Sequence, residues 1–305
     1  MHLIKSRFLV RGEVWSDQEP APARVDWIFY RQRSQPVPGA SWKFFYTVVL
    51  DLNQHPDSLL WKMNKTTANN IRRAHDKDGV VCESTRAVSR ELLDRFEETY
   101  QRFAALKGLG PLDRPYLDQL AKDGALELSW AKDQKGNVLA YHAYYRNCHG
   151  SCLLHTVSLY QTLAESAARN AMSRANRYLF WCDMMRHRDQ GLKVFDFGGW
   201  YPGDTDQGLL AINRFKEGFG GKVVREYNCE QILSLKGWVV LTAAGLLNWA
   251  RGLAARLRGG RKGGEAAPSA VEEDVKSSNT PQPPLSPSNG EREGTAPRCP
   301  AAAET

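Results

Sequence analysis

The chain has 305 residues, 41 Lys and Arg against 34 Asp and Glu, and a formal charge of +7. That length supports one large hydrophobic core or two smaller ones. Six scattered cysteines exclude a compact disulfide scaffold, and an N-terminus without a long apolar run gives no expectation of a secretory leader, so a reducing cytoplasmic setting is expected.

In chain order, the first strong signal is ASWKFFYTVVLD at 40–51, apolar, aromatic and β-branched, which predicts a buried strand. A short helix is expected over 56–63 with Pro56 in its first turn. Next, NKTTANNIRRAHDKDGV predicts a helix capped by Thr66 or Thr67 and ending at Gly79, with Ile71 and Ala74 inward and a cationic flank outward. Residues 89–107 repeat Leu92, Leu93, Phe96, Tyr100, Phe103 and Ala104 at helical spacing behind a Ser89 cap. A short helix is expected at 113–122, then strands at 125–132, 137–146 and 152–158, the first two joined by the Asp133–Asn137 turn. A helix over 173–190 buries Ala175, Tyr178, Leu179, Cys182 and Met185 and stops at Gly191, before strands at 193–197 and 222–228.

Strands in antiparallel series, followed by a long helix feeding an adjacent strand, predict a mixed α/β sheet. Residues 237–258 combine an apolar run too short to span a bilayer with Arg251, Arg256 and Arg258. Such a segment suits either a helix packed on the domain or one lying on an anionic membrane. Gly259–Thr305 holds seven of the 15 prolines and no aromatic residue, the composition of a disordered tail. Its five basic and seven acidic residues leave +9 on the body, which fits a polyanionic partner or a solvated basic surface. Cys148-His149-x-x-Cys152 lacks a second ligand pair at zinc-site spacing, so no metal is expected there.

The segment VFDFGGWYPGDTDQGLLAINRFKEGFGG at 194–221 carries the most chemistry. A strand that ends in Gly198–Gly199 lets backbone approach a ligand closely, and a polar loop between two strands is where α/β scaffolds place function. Asp196 is positioned as a general base or as an acceptor of backbone N–H groups in the turn. His155, in LLHTVS, is a second base candidate or a hydrogen-bonded core residue. Arg72 and Arg73 suit phosphates or a solvated helix face. Asp204 and Asp206 read as turn-forming.

Four stretches together resemble the FemAB family of peptidyltransferases within the GNAT-like acyltransferases, which include BioF2-like domains. They are NKTTANNIRRAHDKDGV at 64–80, RNAMSRANRYLFW at 169–181, LKVFDFGGW at 192–200 and RFKEGFGGKVV at 214–224. The resemblance implies a fold of two GNAT-like copies. An abbreviated first copy would occupy 1–88 and a complete second one 89–235, with an amphipathic helix at 236–258 and the tail at 259–305. It further implies transfer of an acyl group to an amine on a cell-envelope or polysaccharide precursor, with peptidoglycan and cell-wall biogenesis as the setting. Lys216 matches the family's lysine between Phe215 and the FGG triplet, as an oxyanion stabiliser or phosphate ligand, with Arg214 assisting. Gly198, Gly199 and Trp200 would form the acceptor-side wall. Ala68 stands where the family often has Arg.

The donor implied is aminoacyl-tRNA or acyl-CoA, with no tightly bound cofactor. Acetyl-CoA-dependent members open a helix with a Gly-rich turn that cradles pyrophosphate, and the corresponding 169–175 has no glycine. Two alternatives stand beside aminoacyl transfer: an acetyl-CoA-dependent acetyltransferase of a small amine or amino sugar, and a catalytically idle module that binds a partner or an anionic membrane at its inner face.

Overall fold

The computed structural model describes residues 1–6, 8–159 and 164–243. The elements run β1 (His2–Lys5), β2 (Val10–Trp15), β3 (Trp27–Arg33), β4 (Ser41–Asp51), α1 (Pro56–Lys62), α2 (Lys65–Asp76), β5 (Val81–Thr85), α3 (Arg90–Lys107) and α4 (Arg114–Lys122). They continue with β6 (Leu126–Lys132), β7 (Val138–Arg146), β8 (Gly150–Val157), α5 (Ser166–Asp189), β9 (Val194–Gly199), α6 (Gln207–Glu217) and β10 (Lys222–Ile232). Ten strands among the described residues form one sheet in the order β1-β2-β3-β10-β4-β9-β8-β7-β6-β5. Only β2–β3 and β8–β9 pair in parallel, so the sheet is mixed, as the pattern of elements predicts. It runs across position 88 without a break, because β4 lies between β10 and β9.

Alternation along the strands divides the core between the two faces. Leu126, Leu128, Tyr141 and Ala143 pack with Leu93, Phe96, Leu117 and Leu120 of α3 and α4. Val48, Leu50, Tyr144, Phe195 and Phe197 pack on the other face with Leu59, Ile71, Phe180 and Phe219 from the α1, α2, α5 and α6 side. At roughly 2 kcal/mol for each fully buried large side chain, these two layers dominate the stability.

The sheet is strongly curled. Strands β2 and β7 stand six places apart in the order, about 29 Å in a flat sheet at the usual strand spacing. Yet Trp15 of β2 stacks on Tyr145 of β7 with ring centroids 4.1 Å apart. His2 of β1 reaches the carboxylate of Asp123, just past α4, at 2.6 Å. The N-terminal strands therefore close over the α4 side of the sheet.

Several expectations need correction. Residues 1–39 carry three strands that no element was expected to occupy, although WIFYRQR at 27–33 has the aromatic content of a strand. Edge strand β5 was likewise not expected. Asn64, not Thr66 or Thr67, caps α2: its side-chain oxygen accepts the Thr67 N–H at 2.7 Å, and Thr67 is buried. Helix α5 begins at Ser166, seven residues earlier than the pattern predicts, and it buries Phe180, Asp183, Met184 and His187 while Cys182 and Met185 are half-buried. Two buried ionisable residues rotate the apparent apolar stripe, which is why periodicity misplaces the face. The caps at Ser89 and the left-handed Gly108 stop of α3 are as expected. A helical stretch at 235–243 begins the segment expected at 236–258; the rest of that segment and the tail at 259–305 lie outside the described residues.

Candidate active site

Strand β9 pairs in parallel with β8 from Gly150–Val194 to Cys152–Asp196, where the ladder stops. Beyond it, β9 turns at Gly198, whose φ is +71°, and a Cβ there would lie 2.8 Å from the Leu153 carbonyl oxygen. Backbone dihedral and space both require glycine at this position. At Gly199 the nearest side-chain atom to such a Cβ is 3.7 Å away on Phe45, so this second glycine leaves the turn open rather than being forced by packing.

Asp196 organises the turn from below. Its Oδ1 accepts the Gly198 N–H at 2.7 Å and the Thr47 hydroxyl of β4, and its Oδ2 accepts the Gln32 amide of β3. Burial pushes its carboxyl above the usual range, against the lowering effect of those three donors and of Lys216. Gln32 reaches it through an unusual backbone: φ is +55° at a buried non-glycine residue, and its N–H donates to Asn228 Oδ1 at 3.0 Å. Asn228 sits where the β10–β3 register shifts between Tyr227 and Cys229. A bulge on one strand thus supports a strained residue on the next, the kind of conformation that persists only where the surroundings enforce it.

Lys216 comes from above. Helix α6 is capped by Asp206, whose side chain accepts the Leu209 N–H at 2.9 Å, and Asn213 clamps Tyr201 through both its amide atoms. This seats the Lys216 ammonium on two carbonyl oxygens, Gly198 at 3.1 Å and Gly199 at 2.5 Å. Burial lowers it to about 8 from an ordinary 10.5, against the opposing charges of Asp196 and Cys152. Trp200 pins the loop, its N–H donating to Tyr46 and its indole to Glu217 at 2.6 Å.

Glu226 of β10 completes the cluster. Burial, followed by the Asp196 charge, pushes it up to about 8, and a Gln32 hydrogen bond opposes them. One of its carboxylate oxygens is enclosed without a hydrogen-bond partner. Gln32, Thr47 and Glu226 were not among the sequence candidates. Strand alternation at 222–232 makes Glu226 one of several charged positions, and nothing local marks Gln32 as bent toward β9.

The structure therefore brings together Lys216, Asp196, Gly198, Gly199 and Trp200. Arg214 is exposed on α6. His155 stands on the α3 side, edge-on to Tyr100 with ring centroids 5.1 Å apart, and burial lowers it to about 4, so it is a neutral imidazole near pH 7. Arg73 is exposed on α2, and Arg72 lines a groove of about 240 Å³ with Leu60, His75, Tyr178 and Trp181 on the opposite side of the sheet from His155. Ala68 is buried in α2. Residues 169–175, compared with a phosphate-cradling turn, already lie inside α5, whose N-cap Glu165 makes no side-chain cap bond.

Residues 62–217 match the acetyltransferase (GNAT) domain family, a segment that contains α2, α5, β9 and Lys216. The chain belongs to that family. This GNAT protein is similar in fold to the crystal structure of FemX, with a TM-score of 0.51 and 17% identity over 62% of this chain and 61% of FemX. The C-terminal domain (DUF2156) of a putative lysylphosphatidylglycerol synthetase from Agrobacterium fabrum aligns at a TM-score of 0.45 and 16% identity, over 72% of each chain. A tandem GNAT protein from the clavulanic acid biosynthesis pathway aligns at 0.36 and 13%, over 68% of this chain and 64% of that one. A comparison with curated proteins finds no match. At these identities the likenesses are of fold, and the mixed α/β sheet with flanking helices is GNAT-like, as the resemblance implies.

Proposed function

We propose that this GNAT-family protein is an N-acyltransferase that moves an aminoacyl or acyl group onto an amine of a cell-envelope or polysaccharide precursor. The observation that carries the reading is Lys216, a half-buried ammonium seated on the carbonyls of a glycine pair at the end of β9. When the acceptor amine attacks the donor carbonyl, the oxygen gains negative charge, and a preorganised cation there lowers the barrier. Asp196 holds the turn and offsets the Lys216 charge; all three donors to its oxygens serve that positioning role. The attacking amine must also lose a proton, and Asp196, joined by Glu226 as pH rises through 8, is the acceptor at hand.

An ester of tRNA or a thioester of coenzyme A would supply the acyl group. The absence of glycine at 169–175 and of a side-chain cap on α5 favours a donor other than tightly bound coenzyme A. Among the described residues no helix is long and apolar enough to cross a membrane. Leu235, Trp238 and Val239 are exposed where the C-terminal helical stretch begins, which supports peripheral contact with anionic lipid.

Mass spectrometry of envelope precursors from cells with and without the protein tests the reading: an acylated amine lost on deletion supports it, and unchanged precursors overturn it. Isothermal titration with acetyl-CoA separates the acetyltransferase alternative, which requires micromolar binding. Retained sedimentation with anionic vesicles after removal of residues 237–262 would refute the membrane contact.

A further inference from the structure

Strands β2 and β3 carry two arginines that acyl transfer at Lys216 does not use. Arg11, Glu13 and Trp15 stand opposite Trp27, Phe29 and Arg31, so all project from one face of the sheet. Glu13 is fully enclosed. Its Oε1 accepts Arg31 Nε at 2.8 Å and the Trp15 indole N–H at 3.0 Å, and Arg11 stands 3.4 Å from its other oxygen. Aromatic rings fix both guanidinium groups. Arg31 lies 4.7 Å from the Phe29 ring centroid and 5.2 Å from that of Trp15, and Arg11 and Arg31 lie 5.6 and 5.7 Å from that of Tyr116.

One enclosed carboxylate thus serves two arginines. Among the described residues Arg31 makes no other side-chain hydrogen bond, which leaves its terminal fork unspent on a side chain 29% exposed. Arg11 Nε is enclosed without a partner, and the second acid near it, Asp113, is 3.9 Å away and more than half exposed. A planar fork already immobilised by stacking, with its donors unspent, suits bidentate capture of a carboxylate or phosphate. These arginines share a face with Asp196. Trp15 stacks on Tyr145, Tyr145 stands opposite Cys152, and Cys152 stands opposite Asp196. Phe195 and Phe197 pack on the α2 and α5 side, so Asp196 between them faces the side that holds Trp15, Tyr145 and Cys152. Gln32, the residue after Arg31, donates its amide to Asp196.

We propose that Arg31, backed by Arg11, is an oxyanion subsite on this face, which takes a carboxylate or phosphate group of the substrate that reacts at Lys216. That placement rests on the acyl-transfer reading; capture of the anion by itself does not. The anion accepts N–H bonds from the Arg31 fork, and Glu13 with the three rings holds the fork in place.

The test is isothermal titration of the full-length protein with inorganic pyrophosphate and, separately, with succinate, which tell a phosphate source from a carboxylate one. At least one should bind with a Kd of about 1 mM or tighter. Arg31→Lys keeps the charge beside Glu13 but loses the fork, and should weaken that binding about 10-fold. Lys216→Ala should leave it nearly unchanged. Phenylglyoxal labelling of the wild type, read by peptide mapping, decides the matter even where a variant fails to fold: the bound anion should slow modification of Arg31 but not of exposed Arg90. Binding of neither anion, binding that Arg31→Lys leaves intact or Lys216→Ala abolishes, or equal labelling of Arg31 with and without anion would each overturn the proposal. Anion binding lost in Arg31→Lys, together with envelope precursors unchanged on deletion, would keep the subsite and overturn the acyl-transfer reading instead.

Discussion

Two polar clusters lie along the same sheet, and only one of them carries the proposed site. Between α5 and strands β6, β7 and β8, Asp183 accepts from Ser129, Tyr144 and Arg186, and it shares a hydrogen bond of 2.8 Å with His142. Beside it, Ser151 pairs with His187 at 2.8 Å and His187 with Glu127 at 3.2 Å, distances that would suit a hydrolytic triad. Every one of these groups except Arg186 is nearly fully enclosed, and Arg146 and Arg186 face the carboxylates. A substrate has no approach, and the charges cancel locally. This cluster is scaffold.

At the Gly198 turn the charge arrangement is the reverse. Burial pushes the carboxyls of Asp196 and Glu226 toward the protonated form, the strained Gln32 donates to Asp196, one Glu226 oxygen has no partner, and Lys216 is half-buried on carbonyl oxygens. The difference teaches that residue type and distance alone do not tell a candidate site from a scaffold; what differs here is an ammonium left half-buried and a carboxyl oxygen left without a partner.

The largest expected effect comes from breaking the scaffold. Glu127→Ala leaves Arg146 enclosed without its counter-charge and should cost about 3–5 kcal/mol in urea unfolding. Burial by itself raises the Glu127 carboxyl, but the His187 hydrogen bond and charge, with Arg146, outweigh it and hold it at about 2, below its ordinary 4.5. A depressed folded value contributes stability that is present above pH 4.5 and lost as pH falls toward 2. Unfolding midpoints at pH 5 and pH 3 should therefore differ more for the wild type than for Glu127→Gln.

Lys216→Ala should do the opposite: keep the fold by circular dichroism and lose roughly 10²–10³-fold in acyl transfer. Because Lys216 is held at about 8, the part of the rate that needs its charge should fall as pH rises through 8, and Lys216→Arg should abolish that fall. A folded Lys216→Ala protein with full activity would return the site to the same class as the α5 cluster. Gly198→Ala forces a side chain into a left-handed turn against the Leu153 carbonyl and should cost about 1–3 kcal/mol, read as a lower melting temperature. Thr47→Val removes one of three donors to Asp196 and should cost about 1 kcal/mol, the smallest change in the set.

Much of the fold is legible from local pattern. The strand at 41–51, the Ser89-capped helix, the hairpin at Asp133–Asn137 and the glycine pair of β9 all follow from periodicity, capping and turn chemistry. Of the site, Lys216, Asp196 and the glycines are legible because they are close in the chain, eighteen positions from Gly198 to Lys216 along one strand–loop–helix unit. Gln32, Thr47 and Glu226 come from three other strands, and only sheet pairing brings them to Asp196.

By itself, the sequence determined the local units and the segment around Gly198 and Lys216, because those depend on interactions a few residues apart. The tertiary structure alone decided that β1–β3 close over the sheet, that Gln32 bends under Asp196, and that the histidines of β7 and α5 belong to a sealed scaffold. Each of those outcomes rests on contacts between strands distant in sequence, and on burial, which no local pattern encodes.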